Sequence, residues 1–262
     1  MNDNINFRNS LYRVLSSLVL ITLALFSIYI SGSFLIFILA SLVFIMTYEW
    51  VTITENINTI LLKSTKSLFN VIIFMLSLLS IKFSIIFYIF ILLLNLFARN
   101  TEKTNKIFII LGPIYLCLPI IFLYKIRLLN QGFDIILWFL IIVWSTDSFS
   151  YVFGNYFGGK KLWVSLSPNK TWSGFLLGIL AGSFISIICF YIKDLNLLNA
   201  LLFGFILSFF TQFGDLFESW IKRKHLVKDS GKLIPGHGGI LDRLDGLMIS
   251  SIVLYIGCKL YA

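Results

Sequence analysis

An all-α polytopic integral membrane protein is the fold class this sequence predicts, and three observations carry it. Hydrophobic residues make up 58% of the 262 residues and charged ones only 13%. Soluble domains run nearer roughly 45–50% apolar and about 25% charged. The apolar residues gather into runs close to the ~20 residues a helix needs to cross a bilayer core with its backbone satisfied internally. The charged residues come in short bursts between those runs. Disorder, a secreted disulfide scaffold and a soluble nucleic-acid-binding domain are thereby excluded, and no nucleic-acid partner is expected. The three cysteines, Cys117, Cys189 and Cys258, lie far apart inside apolar runs and read as small core hydrophobes.

The runs extend, in order, over Leu11–Ile30, Phe34–Trp50, Leu68–Ile81, Phe83–Ala98, Ile107–Tyr124, Phe133–Phe153, Phe175–Ile192, Leu197–Leu216 and Ile240–Leu260. Arg8 and Arg13 around the start of the first run and Ser31-Gly32-Ser33 after it outline a secretory signal. The length of that run and the span directly behind it favour an uncleaved first helix. The third and fourth runs are short and separated only by Lys82, so they read as a tight helical hairpin or a re-entrant pair. Eight or nine transmembrane helices are expected.

A cytoplasmic N-terminus places all of the 21 Lys and Arg residues except Lys82, Lys125, Arg127, Lys193 and Lys259 at the inner side. The positive-inside rule favours that orientation strongly. The net charge of +9 is then mainly a topology signal, with a second use in drawing phosphate-bearing substrates to the inner leaflet. With no repeat and no low-complexity linker, one transmembrane domain over 1–262 is expected. Residues 1–130 form its hydrophobic helical scaffold, and 131–262 supply the catalytic helices and cytoplasmic loops. The first hundred residues hold almost no polar residue needing explanation.

Polar residues concentrate from Trp144 to Asp245. Asp147 lies among hydroxyls near the inner end of the sixth span, and ionisable groups at membrane depth are costly and usually functional. Gly158-Gly159-Lys160-Lys161 and Ser167-Pro168-Asn169-Lys170-Thr171-Trp172 form a loop that opens a helix near Ser173. Backbone amides, a hydroxyl and a lysine beside a helix start suit a phosphate, although an ordinary positive-inside loop looks the same. At the end of the eighth span, Asp215, Glu218 and Ser219 share one helix face if the helix continues. A simple ion pair between Glu218 and Lys222 is the plain alternative. Downstream, Pro235-Gly236-His237-Gly238-Gly239 runs into the ninth helix, whose N-terminal dipole favours an anion. Asp242 and Asp245 stand three apart at its start, where helix-start acids would also be at home.

The predicted topology brings Asp147, Asp215, Glu218, Asp242 and Asp245 to one membrane face, beside two phosphate-suited loops. Carboxylates for Mg²⁺, ringed by lysines and arginines, are what in-line displacement on a nucleoside triphosphate needs. Chemistry on a nucleotide at the inner surface is the expected function.

The segment from Ser219 through Lys222-Arg223, Lys228-Asp229, Pro235 and His237-Gly238-Gly239 to Asp242-Arg243-Leu244-Asp245 resembles the signature of the phosphatidate cytidylyltransferases, or CDP-diacylglycerol synthases. Ser167-Pro168-Asn169-Lys170-Thr171 and Gly214-Asp215-Leu216-Phe217-Glu218-Ser219 look like two further elements of that family. The resemblance runs from about Asp147 to Gly246, and the N-terminal half shares only hydrophobicity with it. One departure is Ser173, where the family usually carries an acid; a capping role would survive the change, since serine caps well.

The resemblance implies transfer of CMP from CTP to phosphatidic acid, giving CDP-diacylglycerol and pyrophosphate in phospholipid biosynthesis, at the cytoplasmic face of the cell membrane. On that basis Asp215 and Asp242 are expected to hold Mg²⁺, alone or with a second cation, and Glu218 and Asp245 to complete or orient its shell. Lys170, Lys222, Arg223 and Lys228 would neutralise phosphate charge. Ser167, Thr171, Ser219, His237, Gly238, Gly239 and Arg243 complete the expected substrate contacts, with His237 donating to a phosphate oxygen. Acyl chains would enter sideways between helices, whose lipid-facing sides also permit a homodimer. Two alternatives stay open: a CTP-dependent polyprenol kinase, which would pass on the terminal phosphoryl group, and a transporter lined by the same acids.

Overall fold

A computed structural model describes residues 2–55, 59–97, 106–188, 196–234 and 238–260, with side chains from residue 16 onward other than 95–97. Nine α-helices and one two-stranded sheet are present among the described residues. The helices are α1 (Asn2–Ile30), α2 (Gly32–Thr54), α3 (Ile60–Leu79), α4 (Ile81–Phe97), α5 (Lys106–Arg127), α6 (Gly132–Phe157), α7 (Trp172–Ile188), α8 (Leu197–Lys224) and α9 (Leu241–Leu260). Each of the nine apolar runs thus lies within or overlaps one helix. Five of them, α2, α3, α5, α6 and α8, are long and apolar enough to cross a membrane, and shorter apolar stretches lie in α1, α4 and α7.

The third and fourth runs form two separate helices, and the break falls at Ser80 instead of Lys82. Ser80 is extended at φ −159° and ψ 134°, and its N–H still closes the last turn of α3 on Leu76 O. Its hydroxyl accepts from Lys82 N at 3.3 Å, which starts α4. Ser84 Oγ then donates to Ile73 O at 3.0 Å and ties the two helices together.

The chain divides into two compact units. One comprises Met1–Ile121 with Val227–Leu244, the other Phe122–Leu226 with Asp245–Ala262. In the first, α2 packs on α3 and α3 on α4. Its core holds Val43, Met46, Phe74, Phe108 and Leu116, all buried. Trp50 lies against Gly112 of α5, where a Cβ would fall 2.5 Å from its indole nitrogen, and donates to Phe108 O at 3.2 Å. Lys66, half-buried, pairs with the buried Glu55, so that carboxylate does not carry an uncompensated charge into a low-dielectric setting.

In the second unit, α6, α7 and α8 pack together closely. Small residues set that spacing, because between lipid-solvated helices close backbone approach and polar contacts replace the hydrophobic drive. A Cβ on Gly182 would fall 2.2 Å from Ser208 Oγ and 2.3 Å from Thr146 Oγ1. Thr146 donates to Ser208 Oγ at 2.9 Å, Trp138 to Ser186 O at 3.1 Å, and Ser186 to Ala200 O at 2.6 Å.

Between α6 and α7 the expected loop folds into a hairpin, β1 (Lys161–Trp163) against β2 (Ser167–Thr171), antiparallel with Lys161 facing Thr171. Gly158 (φ 58°) and Gly159 (φ 98°) turn the chain out of α6 through left-handed backbone that side chains disfavour.

Candidate active site

The described carboxylates of the polar segment fall into two sets, one in each unit. In the second unit, α8 carries Gln212, Asp215, Glu218, Ser219 and Lys222 along its C-terminal half. The expected shared face is present, since Ser219 Oγ lies 3.5 Å from Asp215 Oδ1. Lys170, delivered by β2, bonds Asp215 Oδ2 at 2.6 Å and donates to Gln212 Oε1 at 3.2 Å. Gln212 is 1% exposed, so the lysine is braced by a buried amide that sequence reasoning passed over. Glu218 is buried and pairs with Lys222 at 3.1 Å, the geometry of the plain i,i+4 alternative.

Glycines let α9 approach α8 here. A Cβ on Gly214 would fall 2.5 Å from Asp245 O, and one on Gly246 would fall 2.8 Å from Thr211 Cγ2 and 3.7 Å from Asp147 Oδ2. Asp245 lies within electrostatic reach of Asp215, Asp147 and Lys222. Asp147 is exposed, and Asp215 and Asp245 are half-buried. Like charges this close need a cation or protons to neutralise them. Here the Lys170 ammonium already stands at Asp215.

The remaining expected residues of this unit sit around the hairpin. Thr171 Oγ1 accepts from Gly174 N at 3.2 Å, so Thr171 is the N-cap of α7. Ser173, the departure from the family pattern, does not cap: its hydroxyl donates to Gly158 O and meets Thr171 Oγ1, pinning the hairpin's base. Ser167 opens β2. Arg223 Nε donates to Leu166 O at 3.3 Å, joining the end of α8 to the hairpin tip. Just beyond, burial and then the neighbouring Lys224 hold the His225 imidazole below its ordinary value.

The first unit holds Asp242, in the first turn of α9. Its Oδ2 accepts from Gly239 N at 2.8 Å, from Ser230 N at 2.8 Å and from Ser230 Oγ at 2.9 Å. Beside it is a residue the sequence left unremarked. Glu49 of α2 is 5% exposed, and its carboxylate accepts from Ile240 N at 2.9 Å, Leu241 N at 2.9 Å and Ser230 Oγ at 3.0 Å. Glu49 stands as an exception to the expectation that the first hundred residues hold almost no polar residue needing explanation. The N-terminus of α9 does take an anion, as its dipole favours, and that anion is the protein's own carboxylate. One signal for it was present in the sequence: an acid inside an apolar run, the same cue that singled out Asp147.

Gly238 (φ 85°) and Gly239 shape this turn. A Cβ on Gly238 would fall 2.6 Å from Asp242 Oδ2, and one on Gly239 would fall 2.0 Å from Ser230 Oγ. Lys228 and Arg243 are exposed. His237 lies outside the described residues.

No group of three or more His, Cys, Asp or Glu side chains stands in metal-holding proximity among the described residues. The donor chemistry nonetheless suits a hard divalent cation. The site offers oxygen donors, the Asp215 and Asp245 carboxylates with the Ser219 hydroxyl and Gln212 amide beside Asp215, and Lys170 supplies positive charge there.

The model of the cytidylyltransferase family matches residues 11–261. The phosphatidate cytidylyltransferase of Staphylococcus aureus (strain COL) is 43% identical over 143 residues, which are 54% of this chain and 54% of that protein. Those of Staphylococcus haemolyticus (strain JCSC1435) and Staphylococcus saprophyticus subsp. saprophyticus are 42% and 41% identical, again over 143 residues and 54% of each chain. The matched region of this chain thus spans about half the length of these curated relatives.

Proposed function

The chain belongs to the cytidylyltransferase family, and from that premise we propose that it transfers CMP from CTP to phosphatidic acid, releasing pyrophosphate and forming CDP-diacylglycerol. The observation that carries this reading is the arrangement around Asp215: a carboxylate balanced by Lys170 from the hairpin, with Asp245 in electrostatic reach of both Asp215 and Asp147. Relatives named for this activity support it.

Asp215 and Asp242 would hold Mg²⁺, alone or with a second cation, and Glu218 and Asp245 would complete or orient its shell. A bound divalent cation supplies charge neutralisation and alignment of the triphosphate for in-line attack at phosphorus. Lys170, released from Asp215, and Lys222 place positive charge where the pyrophosphate leaves. Arg223, Lys228 and Arg243 attract the phosphatidate headgroup. Ser167, Thr171 and Ser219 offer hydroxyls to the nucleotide, and Gly238 and Gly239 keep the turn before α9 open to close approach, with His237 as a donor to phosphate. The attacking oxygen belongs to a phosphate monoester and is already anionic, so no general base is required. Eight or nine of the helices are proposed to span the bilayer, with the N-terminus and the site on the cytoplasmic side, as the distribution of basic residues favours.

Purified protein given CTP, phosphatidic acid and Mg²⁺ is expected to release pyrophosphate and form the liponucleotide in equal amounts. Folded protein that does neither overturns the assignment.

A further inference from the structure

Glu49 receives three donors from chain that lies 181–192 residues away in sequence. Two of them, the amides of Ile240 and Leu241, are among the first N–H groups of α9, which have no partner within the helix. A carboxylate at 5% exposure would be very costly without such partners. The third donor, Ser230 Oγ, also lies 2.9 Å from Asp242 Oδ2. Its single proton therefore serves two acids, and the hydroxyl links them.

The fit is built for this side chain. A Cβ on Gly239 would fall 2.6 Å from both carboxylate oxygens of Glu49, and one on Gly231 would fall 2.8 Å from Oε1. Glycine at both positions is what lets the segment close over the carboxylate. Three consecutive amides, those of Gly239, Ile240 and Leu241, are thus divided between Asp242 and Glu49.

We infer that Glu49 is a positioning residue for the transfer reaction: from α2 it clamps Ser230 and the start of α9, and so fixes where Asp242 stands. Asp242 Oδ2 is oriented by Ser230 and Gly239, and both are held against Glu49. The inference rests on the proposed function in one respect, that Asp242 takes part in the reaction.

The test compares the full-length wild type with Glu49→Gln, Glu49→Asp and Ser230→Ala in lipid nanodiscs. It reads amide hydrogen exchange together with steady-state kinetics in CTP, phosphatidic acid and Mg²⁺. Glu49→Gln is expected to speed exchange at Gly239, Ile240 and Leu241 by about tenfold, as loss of charge-assisted bonds implies. Exchange in α6–α8 should stay at wild-type rates. The same variant should lower kcat by about tenfold, with KM for phosphatidate within about twofold, because the displaced group acts in the transition state. Glu49→Asp should recover part of both. If Glu49→Gln yields no folded protein, Ser230→Ala, which leaves the charge in place, should still accelerate exchange at Gly239 and lower kcat. Unchanged exchange at these amides, acceleration spread evenly over the chain, or wild-type kcat in the variants overturns the inference alone. A wild type that makes no liponucleotide overturns the functional reading and this inference with it.

Discussion

Lys170 and Asp215 show how a single contact separates two kinds of charge in this protein. The lysine is balanced by Asp215 and braced by Gln212, whereas Lys228 stands exposed. Lys170→Ala should therefore act on turnover, lowering kcat by about 100-fold, since it removes charge stabilisation at the leaving group. Lys228→Ala should mainly raise KM for phosphatidate by several-fold, and unchanged kinetics would place that lysine in solvent only. Asp242→Asn keeps volume but removes a negative acceptor from Ser230 and Gly239. It is expected to abolish turnover while the protein still expresses and purifies, and most activity retained would remove Asp242 from the chemistry. His225 makes a different contribution. Its pKa is held below the ordinary 6.5, so the unfolded chain takes up the proton first as pH falls. The stability it contributes is present above that value and declines as pH drops through it towards the folded pKa. Thermal melts should show the decline, and His225→Gln should flatten it.

At the scale of elements, the loops could be read from the sequence better as chemistry than as structure. The hairpin of β1 and β2 is too short for a period-two pattern, and its lysines and the glycines before it read equally as a phosphate-suited loop or an ordinary inner one. Only the pairing of Lys161 with Thr171 shows that it delivers Lys170 to α8. Asp215 with Glu218 on α8, and Asp242 with Asp245 on α9, were legible as pairs because spacing on one helix is local information. Glu49 gave only the cue of an acid inside an apolar run, and its partners could not be read because they are 181–192 residues away. The same holds for Thr171, whose capping of α7 leaves Ser173 to pin Gly158. Helix packing offers its own check. Gly182 meets Ser208 and Thr146 at 2.2 and 2.3 Å from an ideal Cβ, so Gly182→Val should cost about 1–3 kcal/mol or more through overpacking. A lowered melting temperature in detergent would show it, and an unchanged one would mean that α7 can shift freely.

The nine apolar runs foretold the helices of the whole molecule, because a bilayer permits few other solutions for backbone polar groups. What hydropathy left open was which polar residues sit together within each unit, since burial of Glu49, Gln212 and Glu218 follows from packing and not from local pattern. The family match over 11–261 fits a transferase, and the central claim is that the cytidylyl group, and not the terminal phosphoryl group, reaches the lipid. The most direct measurement gives the purified protein phosphatidic acid, Mg²⁺ and CTP labelled separately at the α- and γ-phosphorus. The α-label should appear in the lipid and the γ-label in pyrophosphate. A γ-labelled lipid with CDP released would instead identify a lipid kinase and contradict the account.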